Sequence, residues 1–284
     1  MSVRDVLDET DAWPVDAVAA GVLQGATTTT HGDTARLFPL ASVSKLITAY
    51  SVLIATEEGA FGLGDTVAEV NEEYGAHVAG PADATVRELL SHASGVGMQS
   101  RDREKPARSR RIYSSAGYEI LADLISATGI PFPDYTRAAV CDPLGLSTTE
   151  IDLSGSAGHG YSGSLSALMV LAGEFVSPTL LSEQTWADAV SPQYTDLDGI
   201  VPGYGRQTPC PWGLGPEVHG GKAPHWMGRT MPQDAAGHFG QSGTFLWFHR
   251  PTGRAAVVLT DRAFGPWAKE RWDGFNDRLW ESLQ

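Results

Sequence analysis

The stretch Leu40-Ala41-Ser42-Val43-Ser44-Lys45-Leu46-Ile47-Thr48-Ala49-Tyr50 opens a long apolar helix with a hydroxyl and an amine one turn apart. Residues three apart share a helix face, so the Ser42 Oγ and the Lys45 Nζ can meet in one pocket. A serine in a first helical turn also lies beside free N–H groups and the positive end of the helix dipole, which favours an oxyanion there. Beyond Lys45 the sequence stays apolar nearly all round to Leu53 and Ile54, the pattern of a helix enclosed by protein. Glu57-Glu58-Gly59 supplies a stop, with Gly59 as a left-handed cap. With 22 Ser and 4 Lys in 284 residues, Ser-x-x-Lys arises by chance about 0.3 times. The motif gains meaning only from the rest of the chain.

That chain is long enough for a sizeable core in one large domain or two. Its 42% hydrophobic and 19% charged content is that of a folded protein. A net charge of -14 argues against nucleic acid as a partner. Cys141 and Cys210 are too few and too far apart for a disulfide framework or a metal site, and read as packing residues. The first 30 residues hold Asp5, Asp8, Glu9, Asp11 and Asp16 but only Arg4 as a base. They show no secretory signal, and no stretch reaches the length of a membrane span. A cytoplasmic protein is the expectation.

Val3 to Ala12 reads as a short amphipathic helix, and residues 17–24 and 27–30 as two strands joined at Gly25. From Phe61 to Pro202 the signals are mostly helical. Thr85-Val86-Arg87-Glu88 is a capping box, Ser115 to Thr128 is a helix closed by Gly129, and Leu165 to Phe175 is a third. Strand character returns near Trp212 to Gly215, then at Thr244 to Phe248 and Ala255 to Thr260, with His249-Arg250-Pro251-Thr252-Gly253 turning the last two into an antiparallel hairpin. Pro266 to Gln284 is helical again. Residues 1–60 and 205–284 are thus expected to share one sheet region, with 61–204 inserted as a helical region.

Four segments now make a resemblance specific. They are Ser42-Val43-Ser44-Lys45, Leu89-Leu90-Ser91-His92-Ala93-Ser94-Gly95, Tyr113-Ser114-Ser115-Ala116-Gly117-Tyr118, and Gly237-His238-Phe239-Gly240-Gln241-Ser242-Gly243-Thr244. In that order and spacing the chain resembles the serine β-lactamase and penicillin-binding superfamily, in particular its class C-like branch with esterases and D-amino-acid peptidases. The resemblance covers about residues 18 to 265. It implies an α+β fold, a five-stranded antiparallel sheet flanked by terminal helices with an all-helical insertion, and a site in the cleft between sheet and insertion.

Carried over by position, Ser42 is the acylated nucleophile and Lys45 its base or proton relay. Tyr113 matches the tyrosine that shuttles a proton to the leaving group. His238 stands where many β-lactamases have lysine and related esterases and peptidases often have histidine. The backbone N–H groups of Ser42 and Gln241 match the oxyanion donors, with Ser115 and Gly240 at substrate-facing positions. Ser115 replaces the usual asparagine, and a hydroxyl cannot make the two-sided contacts of an amide with an acylamino group, so two readings stand, a substrate-binding hydroxyl or a cap on its helix.

The chemistry explains the residue types. Serine needs a base, yet lysine and tyrosine titrate near 10 until their surroundings intervene. Burial disfavours charged lysine, while a nearby cation favours phenolate. The expected protein is a serine hydrolase of esters or amides, acting on a small molecule or short peptide without metal or organic cofactor. The alternative is a binding protein on the same fold that hydrolyses poorly. An α/β-hydrolase would need Gly-x-Ser-x-Gly after a strand, which no serine here satisfies. Arg101 to Arg111 holds six of the 20 basic residues, either as a solvated loop or as an attractor of anionic substrate. Trp212, Trp226 and Trp247 either line the acyl pocket or pack.

Overall fold

The run Ala255-Ala256-Val257-Val258-Leu259-Thr260 has no polar face because both faces of its strand are covered. Ala255, Val257 and Leu259 enter one apolar cluster and Ala256 and Val258 the other. The neighbouring strand divides the same way, Leu246 and Phe248 to the first, Phe245 and Trp247 to the second. The computed structural model describes all 284 residues and arranges them as helices on both sides of an antiparallel sheet.

The sheet order across the strands is Thr27–Gly32, Val18–Gln24, Arg254–Thr260, Thr244–His249, Ala236–Gly240 and Glu217–Val218. Five of these strands are substantial, and the two-residue Glu217–Val218 segment extends the sheet to six beside Ala236–Gly240. Both chain ends supply strands, as Val18 pairs with Thr260 and Phe245 with Val258. The hairpin between the last two closes through Arg250–Thr252 and Gly253, whose φ of 65° is the left-handed cap that glycine accepts without strain. The strand expected at Trp212 to Gly215 does not form. Trp212 makes a single bridge to Glu217 and the strand begins there instead, because two glycines flank Leu214 and interrupt the ladder.

One face of the sheet is covered by the helices Ser44–Glu57 and Leu165–Val176. Gly21 gives the second of them its close approach, since a Cβ there would lie 2.6 Å from the Met169 Sδ. The other face is covered by Val3–Asp8 and Trp272–Ser282, which pack Val6, Leu7, Phe275 and Leu279 against it. Residues 61–204 hold helices separated by long loops, together with short strands, Ser162–Ser164 pairing with Leu37–Pro39 and Gly199–Val201 with Gly205–Gln207. No helix is long and apolar enough to cross a membrane.

Candidate active site

Ser42 lies in a single 3-10 turn, Ala41–Val43, just ahead of the Ser44–Glu57 helix rather than inside its first turn. Ala41 takes a φ of 44°, a sparsely populated conformation for a residue with a Cβ. Two hydroxyls from the neighbouring hairpin hold the turn there. Ser242 Oγ donates to the Pro39 carbonyl at 2.6 Å and Thr244 Oγ1 to the Leu40 carbonyl at 3.2 Å. Gly240 is the contact point between strand and turn, where an added Cβ would stand 2.4 Å from the Leu40 carbonyl oxygen.

Lys45 is fully buried, and its Nζ lies 3.4 Å from Ser42 Oγ, 3.0 Å from Ser115 Oγ and 2.6 Å from the Gly158 carbonyl. Burial lowers its pKa from 10.5 to about 7, opposed only in part by the Glu119 carboxylate. The Gly158 loop is held by that same Glu119, which accepts from the Ser156 hydroxyl and from the Gly158 N–H at 3.1 Å. A lysine whose hydrogen-bond partners are two hydroxyls and a carbonyl, with no carboxylate among them, is set to lose its proton near neutrality.

Ser115 does not cap its helix, which runs Ala116–Ala127 without any side-chain cap bond. Its φ and ψ of -80° and -36° are already helical, so its hydroxyl does not face the free N–H groups as a capping residue's does. It faces Lys45 instead. Tyr113 approaches from the same loop, its ring 4.7 Å from the Lys45 Nζ and its hydroxyl 3.4 Å from His238 Nε2. Despite the adjacent amine, burial pushes the Tyr113 pKa up, the hydrogen bond with Ser42 opposing it. The expectation that a cation would favour phenolate fails because desolvation outweighs it, and Lys45 near neutrality is only part-charged.

His238 is buried, and burial lowers its pKa to about 4, with Lys45 adding to the effect. Its Nδ1 lies 2.7 Å from its neighbour's carbonyl, Phe239 O, so the neutral ring keeps a proton on Nδ1 and accepts the Tyr113 hydroxyl on Nε2. The site therefore brings Ser42, Lys45, Tyr113 and Ser115 together directly and reaches His238 through Tyr113. Gln241 shares the pocket with Ser42, and its backbone N–H makes no hydrogen bond within the protein. Gly240 acts through packing. The pocket over Ser42, walled by Met98, Trp212, His238 and Phe239, has room for only about 20 Å³, close to the space one water fills.

Several supporting residues had no signal of their own in the sequence. His92, quoted only within its motif, has a φ of 58°. Its Nδ1 accepts the Ser114 N–H at 3.1 Å, and its ring packs 4.7 Å from that of Tyr113 and 4.9 Å from that of Trp212. Trp212 lines the site, whereas Trp226 and Trp247 belong to the cluster on the opposite sheet face. Behind Trp212 lies a buried ion pair, Lys222 to Glu217 at 3.1 Å, with His225 at 2.9 Å from the same oxygen and the Trp226 N–H donating to the other at 2.8 Å. Burial alone would raise the Glu217 pKa, but Lys222 and His225 hold it well below the usual carboxylate range. Gly158 contributes only a backbone carbonyl, which no side-chain pattern reveals.

The β-lactamase family model matches residues 11–276. Among solved structures the chain is similar to a β-lactamase from Mycobacterium bovis, at 41% identity over 98% of this chain and 100% of that one, with a TM-score of 0.90. It shares its fold with a D-stereospecific amidohydrolase from Streptomyces sp., at 14% identity over 99% of this chain and 97% of that one, TM-score 0.72. A simvastatin synthase mutant from Aspergillus terreus is similar at 16% identity over 99% and 97%, TM-score 0.75. No curated protein matches the chain significantly in sequence.

Proposed function

Because the chain belongs to the β-lactamase family, we propose that it is a serine hydrolase that opens esters or amides through an acyl-enzyme on Ser42. The single observation that carries the reading is the buried Lys45 amine, 3.4 Å from Ser42 Oγ and brought to about 7 by desolvation. An amine of that kind is half neutral at physiological pH and can take the hydroxyl proton.

The order of events follows from the protonation states. Lys45 accepts the Ser42 proton as Oγ attacks the carbonyl carbon, and the oxyanion is received by the N–H groups of Ser42 and Gln241. Tyr113, held in its protonated form by burial, donates its proton to the departing oxygen or nitrogen as the carbonyl re-forms. Its proton is replaced from Lys45, and the neutral His238 orients the phenol. Water then attacks the acyl group by the same steps in reverse. Since Lys45 and Tyr113 are in contact, a pH profile reports the pair.

Small esters are the first candidate substrates, then D-amino-acid peptides or amides, then β-lactams. The order is supported by Ser115, whose hydroxyl is engaged with Lys45 where an asparagine would face an acylamino group, and by the narrow pocket over Ser42. Ser42→Ala is expected to lose both labelling by a fluorophosphonate probe and turnover of a nitrophenyl ester. Turnover retained in that variant ends the assignment. Intact-mass measurement separates hydrolysis from mere binding, because an enzyme returns from acyl adduct to free protein. Short-chain esters, a D-alanyl dipeptide and a chromogenic cephalosporin assayed together rank the substrate classes.

A further inference from the structure

Four of the six bases between Arg101 and Arg111 are committed inside the protein. Arg101 pairs with Asp123 at 2.6 Å, Arg103 with Asp83 at 2.8 Å and Arg108 with Glu88 at 3.1 Å. Arg111 is buried, and its guanidinium donates to the carbonyls of Ser91, Cys210 and Gln193. Lys105 and Arg110 are different. Neither meets a carboxylate, and the Arg110 Nε is buried without an acceptor. Both line a groove of about 380 Å³.

That groove has an apolar wall in Met98, Ile112 and Ile200, of which Met98 is 45% and Ile200 54% exposed. Large side chains left this open beside a reactive centre mark a surface that gains by being covered. The groove runs into the pocket over Ser42, since Met98, Tyr113 and Pro202 line both. Its one acid, Glu104, stands close over the backbone at Gly97, where a Cβ would be 2.5 Å from its Oε1. Two unpartnered cations therefore face one carboxylate along an apolar wall, in a chain whose net charge is -14.

Building on the assignment of Ser42 as the acylated residue, we propose that this groove is a specificity subsite. It takes a substrate arm that is apolar along its length and carries a carboxylate, which Lys105 and Arg110 bind. The other arm, which enters the 20 Å³ pocket, is a group about as short as acetyl. Guanidinium and ammonium donors bind carboxylate by charge-assisted hydrogen bonds, and an uncommitted pair beside the site also draws anions toward it at low salt.

The test compares 4-acetoxybenzoate with 4-acetoxybenzamide, two esters with the same acetyl group whose leaving phenols differ chiefly in charge. The wild-type protein is expected to favour the anionic ester in kcat/KM, and the preference should shrink with added salt. In the double variant Lys105→Ala/Arg110→Ala that preference is expected to fall at least about tenfold while turnover of the neutral ester is unchanged. Lys105→Arg/Arg110→Lys, which keeps both charges, should retain it. Equal handling of the two esters by the wild-type protein, or a preference unmoved in the double variant, overturns the subsite. Calorimetric binding of 4-acetoxybenzoate to Ser42→Ala, with and without the double substitution, reads the subsite when no acyl transfer occurs. Weaker binding on removing the two bases supports it and equal binding refutes it, whereas failure of Ser42 to acylate is seen separately in the intact mass.

Discussion

Lys45→Met puts a number on the physical idea behind the site. The side chain is fully buried, and lowering its pKa from 10.5 to about 7 means that keeping it protonated in the folded state costs about 5 kcal/mol. Between those two values the unfolded chain binds more protons than the folded one, so wild-type stability rises with pH across that window. The cost is full below pH 7 and fades toward pH 10.5. Methionine fills similar space without titrating. It also removes the donor for Ser115 Oγ and the Gly158 carbonyl, at about 1–3 kcal/mol for each group left unsatisfied, but that loss does not vary with pH. The difference in unfolding free energy between wild type and variant should therefore move by about 3 kcal/mol in favour of the wild type from pH 7 to pH 9.5. Urea denaturation followed by tryptophan fluorescence at several pH values measures it, with kcat/KM for an ester in parallel, which should rise in the wild type with a midpoint near pH 7. A stability difference that stays level across the range would refute the reasoning, since it would mean Lys45 holds its proton as an exposed lysine does.

Tyr113→Phe keeps the ring against His92 and Trp212 but removes the proton donor, so kcat should fall by about 10²–10⁴ with KM within about threefold; an unchanged kcat rules out the relay. Gly240→Ala drives a methyl toward the Leu40 carbonyl at 2.4 Å, a backbone contact that cannot yield. It should cost about 1–3 kcal/mol and at least about tenfold in kcat/KM, and wild-type turnover would contradict the close approach of strand and turn. Glu217→Gln leaves the Lys222 ammonium buried without its counter-charge and should lower unfolding free energy by about 3–5 kcal/mol, read from the urea midpoint at pH 7. A change below about 1 kcal/mol would mean that the pair contributes little.

Much of the fold was legible because its signals are local. The capping box at Thr85 and Glu88 forms as the spacing implies, the Thr244–His249 and Arg254–Thr260 strands pair through a glycine-closed turn, and Gly59 takes the left-handed conformation after the long apolar helix. The segment Trp212 to Gly215 shows the limit. Its tryptophan and leucine have strand character, but the sheet edge forms two residues further on, where Glu217 finds Lys222 and His225 across a turn. Short strands inside residues 61–204 were equally invisible, because three-residue strands owe their existence to the partner beside them and not to their own sequence.

A hydroxyl and an amine one turn apart at Ser42 and Lys45, and a sheet built from both chain ends, can be read from periodicity, turn chemistry and residue order, whereas the phenol of Tyr113 and the imidazole of His238 come in through the resemblance of their motifs. Folding sets the rest: the protonation state of Lys45, the engagement of Ser115 with it, the rise of the Tyr113 pKa and which two of six neighbouring bases remain uncommitted. Each of those depends on groups brought from far along the chain. Ser115 is 70 residues from Lys45, Gly158 is 113 from it, and His238 is 125 from Tyr113. The energy of a charge is set by the medium and partners that surround it, and those are assembled only by folding.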